Sequence, residues 1–143
     1  MNTSDVAATT VANLLGPGGD YEPVPVTVEL TWRASEPLAV ELRFLATQRD
    51  AHDVSWLVAR DLLAEGLYLP AGLGDVHVRP HQCDWETTVL VLDSQDGRAE
   101  FELDTEELSD FLQATFEHIP PGAEHMALDL DTHIALLLEG ENR

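Results

Sequence analysis

Residues 54–80 read VSWLVARDLLAEGLYLPAGLGDVHVRP, and this stretch decides the fold. Its hydrophobic period changes from two to about 3.6 and back to two, which predicts a strand, a short helix and a second strand in close succession. The first strand covers Val54–Ala59, and the second covers Asp75–Pro80. We expect the first strand to be covered on both faces, because Leu57 makes its second face apolar as well.

The helix between these two strands is short. Asp61 is predicted to cap its N-terminus, and Gly66 is predicted to end it. Pro70, Gly72 and Gly74 then carry the chain to the next strand. The stretch is therefore a compact structural crossing between two strands of a sheet, without a recognisable catalytic constellation.

Further strands lie on both sides of this crossing. Val24–Arg33 and Leu38–Phe44 alternate between apolar and polar residues, as half-buried strands do. Trp85–Leu92 is rich in β-branched residues, and Arg98–Leu103 returns after the hairpin sequence at Ser94–Gly97. The pattern predicts about six strands joined by short turns, and hence an antiparallel sheet.

Two helices are expected after the last strand. The first begins at Asp104, where a capping residue is followed by acidic residues suited to the positive end of a helix dipole. The second is expected to begin near Asp129 or Asp131 and to end at Gly140. The fold class is thus α+β: an antiparallel β-sheet of about six strands followed by two C-terminal helices.

The length of 143 residues is that of one domain. Residues 1–23 are small and polar and end in a Gly/Pro-rich run, so we expect them to be a disordered N-terminal segment. Residues 24–139 are expected to form the single folded domain.

The net charge of −20 limits the classes of partner. There are 7 basic residues against 27 acidic ones, and such a chain repels phosphate backbones and anionic membrane surfaces. Cys83 is the single cysteine, so no intrachain disulfide can form. The N-terminus lacks the features of a signal peptide, and the protein is expected to be cytoplasmic without direct membrane insertion.

One group of residues could bind a metal ion or serve a metal-dependent hydrolase. His77 and His81 lie near Asp75, Cys83 and Asp84, and these residue types all ligate zinc. Along a strand, however, the two histidines would be about 13 Å apart. We expect solvated loop histidines and no metal site.

A second group of possible site residues lies nearer the C-terminus, and its spacing does not indicate any particular kind of site either. It consists of His118, Glu124, His125, Asp129, Asp131 and His133. The two histidines at 118 and 125 flank Pro-Pro-Gly, so they do not share a helix face as zinc-protease histidines do. Cys83 beside a histidine could be a nucleophile, but it has no local motif in support. No catalytic, cofactor-binding or metal-binding residue is predicted.

Two blocks of the sequence resemble a known family. WLVARDLLAEGLYLPAGLGDVHVRP at residues 56–80 is similar to the characteristic block of the SsgA-like proteins, which are sporulation and cell division regulators of actinomycetes. IPPGAEHMALDLD at residues 119–131 is similar to the second block of that family. The resemblance extends over nearly all of the expected folded domain.

The resemblance implies a non-enzymatic protein that helps to select septum sites and to recruit the tubulin-like division protein FtsZ. It implies FtsZ, other SsgA-like proteins, or both as partners, and a homo-oligomer, in this family a trimer. It also implies a whirly-like fold, which is shared with single-stranded nucleic-acid binders. That activity is the alternative function, and the charge of −20 disfavours it.

Overall fold

The structure, a computed structural model, describes residues 5–16 and 22–124. These residues form eight strands and two helices. In chain order they are β1 (Val6–Leu15), β2 (Val24–Arg33), β3 (Glu36–Phe44), β4 (Val54–Ala59), α1 (Arg60–Gly66), β5 (Ala71–Leu73), β6 (Val76–Pro80), β7 (Thr87–Ser94), β8 (Gly97–Asp104) and α2 (Thr105–His118).

All eight strands belong to one antiparallel sheet with the order β4-β3-β2-β1-β8-β7-β6-β5. The sheet is two four-stranded meanders, β1–β4 and β5–β8, each followed by one helix. A short seam joins the halves, where Asn13, Leu14 and Leu15 of β1 face Glu102, Phe101 and Glu100 of β8. The antiparallel α+β fold class is thereby confirmed.

The sheet is strongly curled. Three strand spacings separate β3 from β8, a distance of about 14 Å in a flat sheet. Yet the rings of Phe44 on β3 and Phe101 on β8 stack with centroids 4.6 Å apart. The inner face of the curl therefore closes on itself, and side chains from both halves meet there.

The core lies on this inner face. Every second residue of β2 points into it, from Val26 to the fully buried Trp32. Helix α1 contributes Leu62 and Leu63, and α2 contributes Leu108, Phe111 and Leu112. Because full burial of one such side chain stabilises by roughly 1.5–3 kcal/mol, the apolar alternation of the strands is what drives the sheet to curl around the helices.

The expected disorder of residues 1–23 is wrong for Val6–Leu15, which is strand β1 at the centre of the sheet. Its inward side chains include the small residues Thr10 and Ala12, so its hydrophobic signal is weak although it is paired on both sides. The expected six strands also omitted β5, which has three residues and contains Gly72. The second C-terminal helix and the domain boundary at residue 139 lie outside the described residues.

Two of the three local predictions about the crossing need correction. Strand β4 is an edge strand, and Leu57 is 65% exposed, so its second face is uncovered. Asp61 does not cap α1: the N-cap position is Ala59, without a side-chain hydrogen bond, because the helix follows the strand directly. The prediction that the helix ends at Gly66 is confirmed, and the next residue, Leu67, keeps a right-handed backbone conformation.

Gly66 is needed for close packing. A Cβ atom at this position would lie 2.3 Å from Cγ1 of Val78 on β6, a distance that real Cβ atoms do not reach. At the other helix the prediction is confirmed, since the carboxylate of Asp104 accepts a hydrogen bond of 2.9 Å from the amide of Glu107. The Glu107 carboxylate in turn accepts a hydrogen bond from Thr10, which ties α2 to β1.

Candidate protein-interaction site

Arg60, the first residue of α1, is completely buried at the end of the curl that the helices fill. Its Nη2 donates to Oε1 of Glu124 at 2.6 Å, and its Nη1 donates to Oγ1 of Thr115 at 3.3 Å. The guanidinium carbon also lies over the rings of Phe116, at 4.6 Å, and Trp32, at 5.3 Å. These contacts fix the start of α1 to α2 and to the chain that follows it.

Glu124 is 2% exposed and remains the acidic partner of this pair. Burial alone would raise the pKa of its carboxyl, but the hydrogen bond and the charge of Arg60, together with hydrogen bonds from the local backbone, outweigh burial and lower the pKa. A buried ion pair of this kind costs desolvation of both groups, so it holds a geometry more than it adds net stability. We therefore assign Arg60 and Glu124 to the scaffold rather than to the binding surface.

An apolar groove opens at the opposite end of the curl. It has a volume of about 440 Å³ and is lined by the inner-face ends of strands from both halves of the sheet. Its apolar walls include Leu14, Val26, Phe44, Trp56 and Phe101. The loop after β3 and the hairpin between β7 and β8 form its rim, where Arg98 forms an ion pair of 3.3 Å with Glu100.

Strand β4 borders this groove and has an open edge. Within the described chain it pairs with β3 alone, in the register from Ala39↔Ala59 to Phe44↔Val54. Val54 is 51% exposed, and the strand contains no charged residue. The groove and the β4 edge together offer apolar contact and main-chain hydrogen bonding side by side, which are the elements of peptide recognition.

The first candidate group of histidines is dispersed. His77 is exposed on β6, while His81 places Nε2 3.4 Å from Oε2 of Glu102, and Cys83 is exposed in the loop after β6. The Asp84 carboxylate accepts hydrogen bonds from Thr87 Oγ1 and the Glu86 amide, which lower its pKa, so it serves to shape the turn. Among the residues that the structure describes, no three His, Cys, Asp or Glu side chains are grouped to hold a metal ion.

The second predicted group is described in part. His118 stacks on Trp32 with ring centroids 6.0 Å apart, and Glu124 is the partner of Arg60. The remaining members, His125, Asp129, Asp131 and His133, lie outside the described residues. The described members thus contribute to packing at the closed end of the curl.

Sequence reasoning missed both Arg60 and the groove. The signal for Arg60 was present, because it is a charged residue between the apolar runs WLVA and LLA. The groove has no local signal, since it forms only when β3, β4 and β8 meet on the inner face. Over residues 5–16 and 22–124, no helix has the length and apolar character to cross a membrane.

Comparison with known proteins gives consistent matches over most of the chain. The family model described as "Streptomyces sporulation and cell division protein, SsgA" matches residues 26–124. The sporulation-specific cell division protein SsgB of Saccharopolyspora erythraea is 41% identical over 131 residues, which are 92% of this chain and 90% of that protein.

Two solved structures share the fold. The crystal structure of an SsgA-like sporulation-specific cell division protein from Thermobifida fusca has a TM-score of 0.80 and 33% identity, and the match covers 94% of this chain and 98% of the other. A structure reported under the words "Mutations in SsgB correlate to longitudinal cell division during sporulation of Streptomyces coelicolor" has a TM-score of 0.77 and 34% identity, over 86% of this chain and 94% of the other.

Proposed function

Because this chain belongs to the SsgA family of sporulation and cell division proteins, we propose that it helps to select septum sites and recruits the tubulin-like division protein FtsZ to them. The resemblance to the family, and within it to SsgB, is confirmed by its relatives, which are named sporulation-specific cell division proteins. The chain acts by holding other proteins in place and carries out no reaction.

The observation that carries the proposal is the pairing of the apolar groove with the open β4 edge. The groove walls are mostly apolar, and the residues of β4 lack any charge in a chain of net charge −20. A surface of this kind suits a polypeptide partner, because it can match both the main chain and the apolar side chains of a segment.

We place the protein in the cytoplasm at division septa, as a homo-oligomer that binds FtsZ, other SsgA-like proteins, or both. A trimer is the assembly that the family resemblance implies. Analytical ultracentrifugation over a range of concentrations measures this assembly directly, and a single species with the mass of one chain would contradict it.

Co-sedimentation with FtsZ filaments tests the recruitment. Purified chain is mixed with FtsZ and GTP and centrifuged, and the matched control contains GDP, so that filaments do not form. We expect the chain in the pellet in proportion to polymer with GTP and in the supernatant with GDP. The same small fraction in both pellets would refute direct recruitment, as would a diffuse signal of the fluorescently labelled protein in sporulating hyphae.

Single-stranded nucleic-acid binding is disfavoured by the net charge and also by the ion pairs that three of the arginines form. Arg33, Arg43 and Arg98 are exposed or half-exposed, yet each forms an ion pair with a carboxylate of the same chain. Phosphate binding depends on cations that are free to replace the counterions of the nucleic acid. We expect no retention on a single-stranded oligonucleotide at moderate salt.

A further inference from the structure

We propose that β4 accepts an extended segment of a partner protein as an additional strand. Alternate large apolar side chains of this segment would enter the groove, and basic residues would flank it. The inference rests on the proposed function. It names the surface that binds a protein partner and the chemistry of the partner segment that binds there. Three features of the described residues lead to it.

The first feature is that, within the described residues, the β4 edge has none of the usual protection against strand addition. Natural edge strands are blunted by charges, by proline or by shortness. The opposite edge of this sheet follows that rule, because β5 has three residues between Pro70 and Gly74, whose φ is +61°. Strand β4 has six residues, without a charge, a proline or a glycine.

The second feature is the position of the groove beside this edge. Val54 and Trp56 both line the groove, as alternate residues on the inner face of β4. A strand added alongside would direct every second side chain to the same face. The volume of about 440 Å³ lies within the range of ligand pockets and holds apolar side chains on that face of the added segment.

The third feature is the distribution of charge along the edge. Exposed carboxylates bracket the uncharged strand, with Asp50 and Asp53 before it and Asp61 after it. Arg43 neutralises Asp53 at 2.7 Å, and Arg49 is the cation of the same turn. With a net charge of −20 on the whole chain, basic ends on the segment are favoured.

The direct test uses a defined peptide, Arg-Val-Thr-Phe-Thr-Val-Thr-Arg, and the full-length protein labelled with ¹⁵N. Its valine and phenylalanine side chains share one face of an extended strand, and its ends are basic. Two control peptides replace either the terminal arginines with glutamate or two of the threonines with proline, which removes main-chain donors. Amide shifts and amide hydrogen exchange report where each peptide binds.

We expect saturable shifts at residues 54–59 and at groove residues, together with slowed exchange of the β4 amides that point away from β3. The glutamate-ended peptide should bind about tenfold more weakly, and the proline peptide should cause no slowed exchange. Shifts centred elsewhere would overturn the proposal. So would equal slowing of exchange by the proline peptide, because pairing with the edge would then not be the mode of binding.

Matched variants then locate the effect on one edge of the sheet. Val54→Lys on β4 and Leu73→Lys on β5 each replace an exposed apolar residue, 51% and 68% exposed, on an edge strand. We expect Val54→Lys to weaken peptide binding about tenfold or more, since it adds a charge at the groove and repels basic ends, and Leu73→Lys to leave it unchanged. Thermal unfolding of both variants verifies that each is folded. Equal peptide affinity of the two variants would overturn the proposal.

Other occupants of the edge give different results in the same experiments. If the exchange of the β4 amides that point away from β3 is already slow in the free protein at every concentration, a segment of the same chain covers the edge. If it slows as concentration rises, a second copy covers it, and either result overturns the proposal. If the chain co-sediments with FtsZ filaments but does not bind the peptide at β4, the proposed function stands and this inference is refuted. If the chain binds the peptide at β4 but does not co-sediment with filaments, recruitment of FtsZ is refuted and the edge remains a peptide-binding site.

Discussion

Breaking the buried pair of Arg60 and Glu124 should be among the most damaging changes that this chain can receive. Arg60→Met would leave the Glu124 carboxylate without its cation, and Glu124→Leu would leave a guanidinium that is 0% exposed without its anion. Each single substitution is expected to cost about 3–5 kcal/mol. A domain of this kind has a free energy of unfolding of about 5–15 kcal/mol, so about a fifth or more of the total would be lost.

The double variant Arg60→Met/Glu124→Leu should recover most of this loss. Both charges are then absent, and the methionine side chain can pack between Trp32 and Phe116, where the guanidinium lay. Replacement of a buried ion pair by apolar residues of similar volume is often neutral or stabilising. The double-mutant cycle should therefore give a coupling free energy above about 3 kcal/mol.

Urea unfolding at pH 7, followed by tryptophan fluorescence, measures these free energies. Trp32 is buried in this cluster and changes environment on unfolding, whereas Trp85 is 86% exposed already and contributes a nearly constant background. With a slope of about 2 kcal/mol per molar urea, a loss of 4 kcal/mol moves the midpoint by about 2 M. The matched control is Glu117→Gln, an exposed change on α2 that should stay within about 0.5 kcal/mol. A single variant within about 1 kcal/mol of the unaltered protein would refute the buried pair, as would additive costs in the double variant.

Three other predictions concern the same scaffold. A chain that lacks residues 1–15 should give no cooperative unfolding transition, because it loses the β1 strand that joins the two halves of the sheet. A native-like circular dichroism spectrum and melting curve would contradict this. Gly66→Ala should lower the free energy of unfolding by about 1–3 kcal/mol, because its new methyl group clashes with Val78. Gly72→Ala should be tolerated, because the neighbouring atoms belong to an exposed side chain. Equal melting temperatures of the two variants would contradict the packing argument. The pKa of Glu124 is lowered from its ordinary 4.5, so its ionised carboxylate stabilises the folded protein. The difference in free energy of unfolding between the unaltered protein and the Glu124→Leu variant should therefore be fully present above pH 4.5 and shrink as the pH falls below it. A difference that stays constant down to pH 3 would contradict this.

Local pattern was sufficient for the strands that carry a strong alternation. Val24–Arg33 and Val54–Ala59 were predicted with the bounds that the structure has, because large apolar residues alternate in both. Strand β1 was not predicted, because its burial comes from its central place in the sheet and not from large apolar residues in its sequence. It lies between β2 and β8, so even Ala12 is fully buried there.

The candidate site could not be predicted from local pattern at all. Arg60 and Glu124 are separated by 64 residues, and their pairing depends on where α2 ends relative to the start of α1. The groove likewise depends on the curl that brings Phe44 and Phe101 together across three strand spacings. The two halves share the order of four strands and a helix, yet the sequence contains no repeat, because this order needs only alternating apolarity and turns in each half.

The stretch at residues 54–80 contributes both to the buried ion pair and to the apolar groove. At its Arg60 end, β4 runs directly into a helix that is fixed by the buried ion pair, while its Val54 end borders the open groove. A strand held at one end and along its β3 side stays extended, so a partner segment would meet an edge whose conformation is already set. Pre-organisation of this kind reduces the ordering cost that otherwise weakens the binding of extended peptides. The same argument links the two sets of variants: loosening the Arg60 cluster should weaken peptide binding at β4 as well as stability, even though the peptide never contacts Arg60.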